Sequence, residues 1–143
     1  MCRNHATVRS LLAQLVGTST GPVVADMEAG LENFSRGTPR HVDALVVVME
    51  PYFRALETGA RAVELGRELG IPRVEAVANK ARTREDELAV REFCESRGIP
   101  IAGWVPFDEA VLQSERAGKA LLDHAPGSPA VAAIGAVADA LTP

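Results

Sequence analysis

The chain has 143 residues, of which 47% are apolar and 24% charged, a balance typical of one globular domain and not of a disordered segment. The formal net charge of -4 gives no general attraction to nucleic acid or anionic lipid, which disfavours nucleic-acid binding as the main activity. Two cysteines, Cys2 and Cys94, are too few for a disulfide framework. No signal-peptide pattern and no apolar stretch long enough to span a bilayer occur, so we expect a cytoplasmic protein without a membrane span.

Apolar residues at helical spacing predict a first helix, which Gly17 ends; they are Val8, Leu11, Leu12, Leu15 and Val16. Four short apolar runs then predict β-strands, at 22–25, 43–48, 73–78 and 101–105. A helix between the second and third strands is indicated by Leu56, Ala60 and Val63 on one face, and it closes at Gly70 and Pro72.

Three further helices follow the third strand. Thr83 and Asp86 have the spacing of a capping box, which predicts a helix that runs to Gly98. After the fourth strand, one helix is predicted over about 108–123 and another over 128–141, with Ser128 as its cap and Pro129 at its first position. Strands that read as apolar runs and alternate with helices predict a mainly parallel sheet covered on both faces. We therefore expect a single α/β domain over 1–143, a three-layer sandwich.

In such a sheet, ligands bind beyond the carboxyl ends of the strands, where Asp26, Glu50, Asn79 and Asp108 are expected. A carboxylate at a strand end, as Asp26 would be, suits a water bound to magnesium, and the alternative is a cap of a turn. Asn79 offers a donor and an acceptor to a purine edge, and the stem of Lys80 can pack over a ring; an exposed loop is the alternative.

The residues after the fourth strand can form a wall of the same base pocket. Pro106 and Asp108 have this position, and the alternative for Asp108 is a cap of the following helix. Cys2 can be a thiolate ligand of a metal, with a lone terminal cysteine as the alternative. Cys94 lies in an apolar helix pattern and is predicted to be a core residue.

Four segments in this order and spacing resemble the deviant Walker A ATPases related to MinD and ParA: VVADMEAGLE (23–32), VVVMEPYFRALETG (46–59), VANK (77–80) and VPFDEAV (105–111). Within that group the chain is most similar to the CooC-type ATPases, which serve nickel insertion into carbon monoxide dehydrogenase. The resemblance implies a partial P-loop NTPase fold, ATP and Mg²⁺ as ligands, and a homodimer with nucleotide at its interface.

The resemblance also implies roles for individual residues. Asp26 matches the carboxylate near magnesium and the attacking water, while Ala29 and Gly30 match the segment that senses the terminal phosphate. Asn79 matches the residue that reads adenine, and Pro106 with Asp108 lies on the loop that frames the base. Cys2 matches the second cysteine of a C-x-C pair, which binds a metal such as Ni²⁺ or Zn²⁺ across the dimer.

No G-x-x-x-x-G-K-[ST] phosphate loop occurs in the 143 residues. We therefore expect the carboxyl-terminal portion of such an ATPase domain, truncated at its amino end and not competent alone. The leading hypothesis is an ATP-binding accessory protein of carbon monoxide dehydrogenase or of another metalloenzyme client. The alternative is a non-enzymatic interaction domain that pairs with a partner through an exposed sheet edge.

Overall fold

In the described residues, three parallel strands form one sheet, in the order β1 (Ala44–Met49), β2 (Arg73–Ala81) and β3 (Ile101–Pro106). The computed structural model describes residue 18, residues 21–27 and residues 42–142. Along the sheet, Met49 of β1 lies beside Ala78 of β2, which in turn lies beside Trp104 of β3. The carboxyl ends of all three strands therefore lie at the same edge.

Five helices connect or follow the strands in residues 42–142: α1 (Phe53–Glu68), α2 (Arg84–Ser96), α3 (Glu109–Arg116), α4 (Leu121–His124) and α5 (Pro129–Leu141). α1 packs on β1, with Gly59 against the side chain of Met49. α2 lies on the same face and places Arg91 over the ring of Trp104, 5.1 Å from its centroid. Because neighbouring side chains along a strand point to opposite faces, Gly103, which meets Val137 of α5, faces the other side of the sheet. The helices thus cover two faces, as the predicted three-layer α/β sandwich requires.

The core lies between β1, β2 and the two helices α1 and α2. Its largest side chains without any exposed surface are Met49, Val63, Val90 and Cys94. Burial raises the pKa of the Cys94 thiol, which favours the neutral form. The prediction that Cys94 is a core residue is confirmed.

Most of the predicted elements in 42–142 are confirmed, with ends shifted by one to three residues. The capping box of α2 is present, with Thr83 Oγ1 accepting from the Asp86 amide at 3.2 Å and Asp86 Oδ2 accepting from the Thr83 amide at 3.2 Å. Ser128 caps α5, where its hydroxyl accepts from the Val131 amide at 3.3 Å. No helix in the described ranges is both long and apolar enough to cross a membrane.

Two predicted elements are wrong. Residues 22–25 form no strand, and Val24 is 92% exposed; the described part of the chain offers this run neither a paired strand nor an apolar cover. The helix predicted over 108–123 is two helices, because Gly118 (φ +63°) adopts a left-handed conformation and ends α3. There the amides of Gly118 and Lys119 donate to the carbonyls of Glu115 and Ser114, a Schellman motif. The first predicted helix, up to Gly17, lies outside the described residues.

Candidate functional site

The carboxyl edge of the sheet brings together residues from the ends of all three strands. Glu50 follows β1, Asn79 and Lys80 lie within the last three residues of β2, and Asp108 follows β3 by two residues. The sequence pattern predicts Asn79 and Lys80 just after a strand that ends at residue 78. In the structure β2 continues to Ala81, so both residues are still part of the sheet.

Lys80 joins the ends of β1 and β2. Its ammonium lies 2.7 Å from Glu50 Oε1, and this hydrogen bond raises the pKa of Lys80. Its backbone has φ +60°, which only glycine adopts readily. The side chain of Lys80 is thus engaged with a carboxylate, a role that the sequence analysis did not predict.

Asn79 lies beside Val105 of β3 and is partly buried. No hydrogen bond joins its side-chain amide to another residue of the described ranges. The two N–H donors and the carbonyl acceptor of this amide therefore have no partner among the described residues, and Asn79 stands at the sheet edge where ligands bind in this class of fold.

The start of the loop after β3 is fixed against the end of β2. Pro106 pairs with Ala81, and the amide of Phe107 donates to the Ala81 carbonyl at 2.9 Å. The guanidinium of Arg82 stacks on the Phe107 ring, 3.4 Å from its centroid. Neither Arg82 nor Phe107 was predicted as a site residue from the sequence, although Phe107 lies between Pro106 and Asp108, which were.

Asp108 caps two helices at once. Its Oδ1 accepts from the Ala110 amide of α3 at 2.9 Å, and its Oδ2 accepts from the Ala130 amide of α5 at 3.0 Å. These two backbone donors, with a further hydrogen bond from Ser128, lower the pKa of the Asp108 carboxyl. The helix cap that was the alternative prediction for Asp108 is present, and Asp108 also caps a second helix. Contact of Asp108 with a base stays a prediction.

Asp108→Asn should remove part of the acid sensitivity of the fold. Since folding lowers the pKa of Asp108 below its ordinary value near 3.8, its contribution is complete above about pH 4 and is lost as pH falls through the folded pKa. We expect Asp108→Asn to melt at a lower temperature than the unaltered chain at pH 7, with a smaller difference at pH 3. Thermal unfolding by circular dichroism at several pH values measures this, and a difference that grows on acidification would contradict it.

The remaining predicted site residues are in the amino-terminal part. Asp26 is exposed and lies outside any strand, so its carboxylate is open to a hydrated cation. Ala29, Gly30 and Cys2 lie outside the described residues. Within the part that is described, no three histidine, cysteine or acidic side chains form a group that could hold a metal.

A shallow groove of about 260 Å³ lies at the opposite, amino end of the sheet. It is lined by Arg67, Arg73, Glu75 and Pro100 among others, and Arg73 pairs there with Glu75 at 3.0 Å. Because ligands of open parallel sheets bind at the other end, we assign this groove no part in the site.

Comparisons with known proteins agree with this reading of the fold. No protein-family profile matches the chain. It is 37% identical over 126 residues to the carbon monoxide dehydrogenase accessory protein CooC of Rhodospirillum rubrum, which covers 88% of this chain and 47% of that protein. It is also 37% identical over 119 residues to an uncharacterized ATP-binding protein of Methanocaldococcus jannaschii, covering 83% of this chain and 46% of that protein.

The crystal structure of a ParA family ATPase from Chlorobium tepidum superposes on the chain with a TM-score of 0.77. That match has 25% sequence identity and covers 96% of this chain and 56% of the ATPase. This chain spans about half the length of the curated relatives it matches, 47% and 46%. Sequence and fold together thus relate this chain to CooC and to ATPases of the MinD/ParA type, over about half of their length.

Proposed function

We propose that this chain is the base-binding and water-activating portion of a CooC-like ATPase that serves nickel insertion into carbon monoxide dehydrogenase. The 37% identity to CooC supports the client, and the ATP-binding relative supports the nucleotide. The observation that carries the proposal is the juxtaposition of Asn79, Pro106 and Asp108 at the carboxyl edge of the sheet. The proposed nucleotide site does not depend on the client being a nickel-containing dehydrogenase.

In this function Asn79 reads the adenine edge, and the loop that begins at Pro106 frames the base. The amide of Asn79 has no partner among described residues, so a base can take its donor and acceptor without breaking an internal hydrogen bond. The backbone bond from Phe107 to Ala81 holds the loop beside it. Cys2, with its equivalent in a second copy, would bind the transferred metal across a dimer.

ATP turnover in the complete site is water attack on the terminal phosphate, where positioning and charge stabilisation supply most of the rate. Asp26 would orient the attacking water, and Ala29 with Gly30 would close on the phosphate. Mg²⁺, when bound, neutralises charge on the phosphate oxygens. The phosphate cradle would come from a glycine-rich loop, which the 143 residues do not contain.

Asn79→Ala should weaken adenine-nucleotide binding about tenfold, because a polar site that loses its hydrogen-bonding group leaves the base edge unpaired. We expect this in the chain joined upstream to a segment with a glycine-rich loop, measured by equilibrium titration with a fluorescent ATP analogue. Gln113→Ala is the matched control, since it removes an amide from an exposed position on α3. Unchanged affinity in Asn79→Ala, or no binding by the joined protein, would refute the proposed site.

A second function, an interaction domain without ATP turnover, is favoured by the surface around β1. Within the described residues β1 pairs only with β2, and Val48 is 61% exposed on it. Phe53, at the start of α1, is a second large apolar side chain with high exposure, 74%. Light scattering of the same samples separates the two functions: the ATPase dimerises only with nucleotide, whereas an interaction domain associates regardless of nucleotide.

A further inference from the structure

The backbone of β2 is irregular at one residue beside the proposed base-reading position. Lys80 is the one non-glycine residue of the described ranges with a positive φ, +60°. The pairing of β2 with β3 also slips there, since Asn79 lies opposite Val105 and Ala81 opposite Pro106. Lys80 is therefore the extra residue of a β-bulge, and its backbone conformation is unfavourable for any residue other than glycine.

The bulge is connected to the neighbouring strand end by the ion pair of Lys80 with Glu50, at 2.7 Å. Both side chains are partly open to water, with 54% and 34% of their surface exposed. An ion pair in such a setting adds little to the stability of the fold, because solvent screens it and ordering two side chains opposes it. Stability alone therefore does not account for a strained lysine held at this place.

We propose that Lys80 and Glu50 are positioning residues that fix the direction of the Asn79 amide for recognition of a purine. β-Bulges redirect the side chains next to them, and strained backbone is kept where a site depends on its geometry. Asn79 directly precedes the bulged residue, so a bulge held by Glu50 also holds the backbone that carries the amide. This inference rests on the proposed nucleotide site, and it adds that Glu50 and Lys80 set the geometry of that site.

The first arm of the test uses the full chain without ligand. Two-dimensional ¹H–¹⁵N spectra follow the side-chain amide of Asn79 in Glu50→Gln and Lys80→Ala. We expect its signals to shift and broaden in both variants and to stay unchanged in Glu64→Gln. That control breaks the exposed Arg61–Glu64 pair, which has a similar distance of 2.8 Å and joins two residues of the one helix α1. An Asn79 amide unchanged in both test variants would overturn the inference.

Lys80→Gly separates positioning from stability. Glycine relieves the positive φ and removes the ion pair, so we expect a higher melting temperature than in Lys80→Ala together with equally broad Asn79 signals. Asn79 signals in Lys80→Gly that match those of the unaltered chain would show that lysine is not needed for positioning.

The second arm titrates adenosine and guanosine into the same samples and follows the same spectra. Glu50→Gln should weaken adenosine binding about five- to tenfold, the loss of roughly one aligned hydrogen bond, with little effect on guanosine. Adenosine affinity within twofold of the unaltered chain would overturn the role in recognition. If the unaltered chain bound no adenosine even when joined upstream to a segment with a glycine-rich loop, the proposed function would fail, and the ligand-free spectra would still decide whether Glu50 and Lys80 position Asn79.

Discussion

Met49→Ala should lower the free energy of unfolding by about 2 to 5 kcal/mol, the range typical of large-to-small changes in a close-packed core. Met49 has no exposed surface, and its side chain lies against the backbone of α1 at Gly59. A Cβ at Gly59 would lie 2.7 Å from Met49 Cε, so the helix and strand leave no spare room around the side chain. Truncation removes these contacts and opens a cavity that the rigid surroundings fill only in part.

Urea unfolding followed by circular dichroism measures this loss. Val48→Ala is the matched control, because it shortens the next side chain of the same strand, which is 61% exposed. We expect the control to stay within about 0.5 kcal/mol of the unaltered chain, as is usual for surface substitutions. Equal losses in the two variants would mean that the sheet face towards α1 is not the main core.

The sandwich itself could be predicted because its elements are encoded locally. The runs that became β1, β2 and β3 are apolar and short, and the helices between them carry their own start and stop signals. The pair Thr83 and Asp86 shows this, since both hydrogen bonds of the predicted capping box are present. Parallel pairing then followed from the alternation of strand and helix.

The run at 22–25 shows where local reasoning ends. Its composition is that of a buried strand, yet a strand needs a hydrogen-bonded neighbour, and the described sheet ends at β1. The break between α3 and α4 is different, because its signal was in the sequence. Gly118 follows two turns of helix, and glycine commonly ends helices, so the break could have been predicted from the sequence.

The place of the candidate site was predictable, whereas its contacts were not. Parallel topology alone puts Asn79 and Asp108 at one edge of the sheet. The ion pair of Lys80 with Glu50 joins residues 30 positions apart, and the second cap by Asp108 reaches 22 positions along the chain. Such contacts depend on how helices and strand ends are placed in three dimensions, which no local pattern specifies.

Gly103→Ala should destabilise the fold by about 1 to 3 kcal/mol, because the added methyl group has no room. A Cβ at Gly103 would lie 2.4 Å from Val137 Cγ2 on α5. Valine in a helix has one strongly preferred rotamer, so it cannot turn aside, and the helix must move away from β3. The layer formed by α5 thus depends on the absence of a side chain at this position.

Gly135→Ala is the control on the same helix, and we expect the opposite sign. A Cβ at Gly135 meets no atom within 4 Å, and alanine within a helix is favoured over glycine by about 0.5 to 1 kcal/mol. The double variant Gly103→Ala with Val137→Ala should recover much of the loss, since it removes the clashing methyl groups. Urea titrations of all four proteins test this, and a Gly103→Ala chain as stable as the unaltered one would show that α5 does not pack closely on β3.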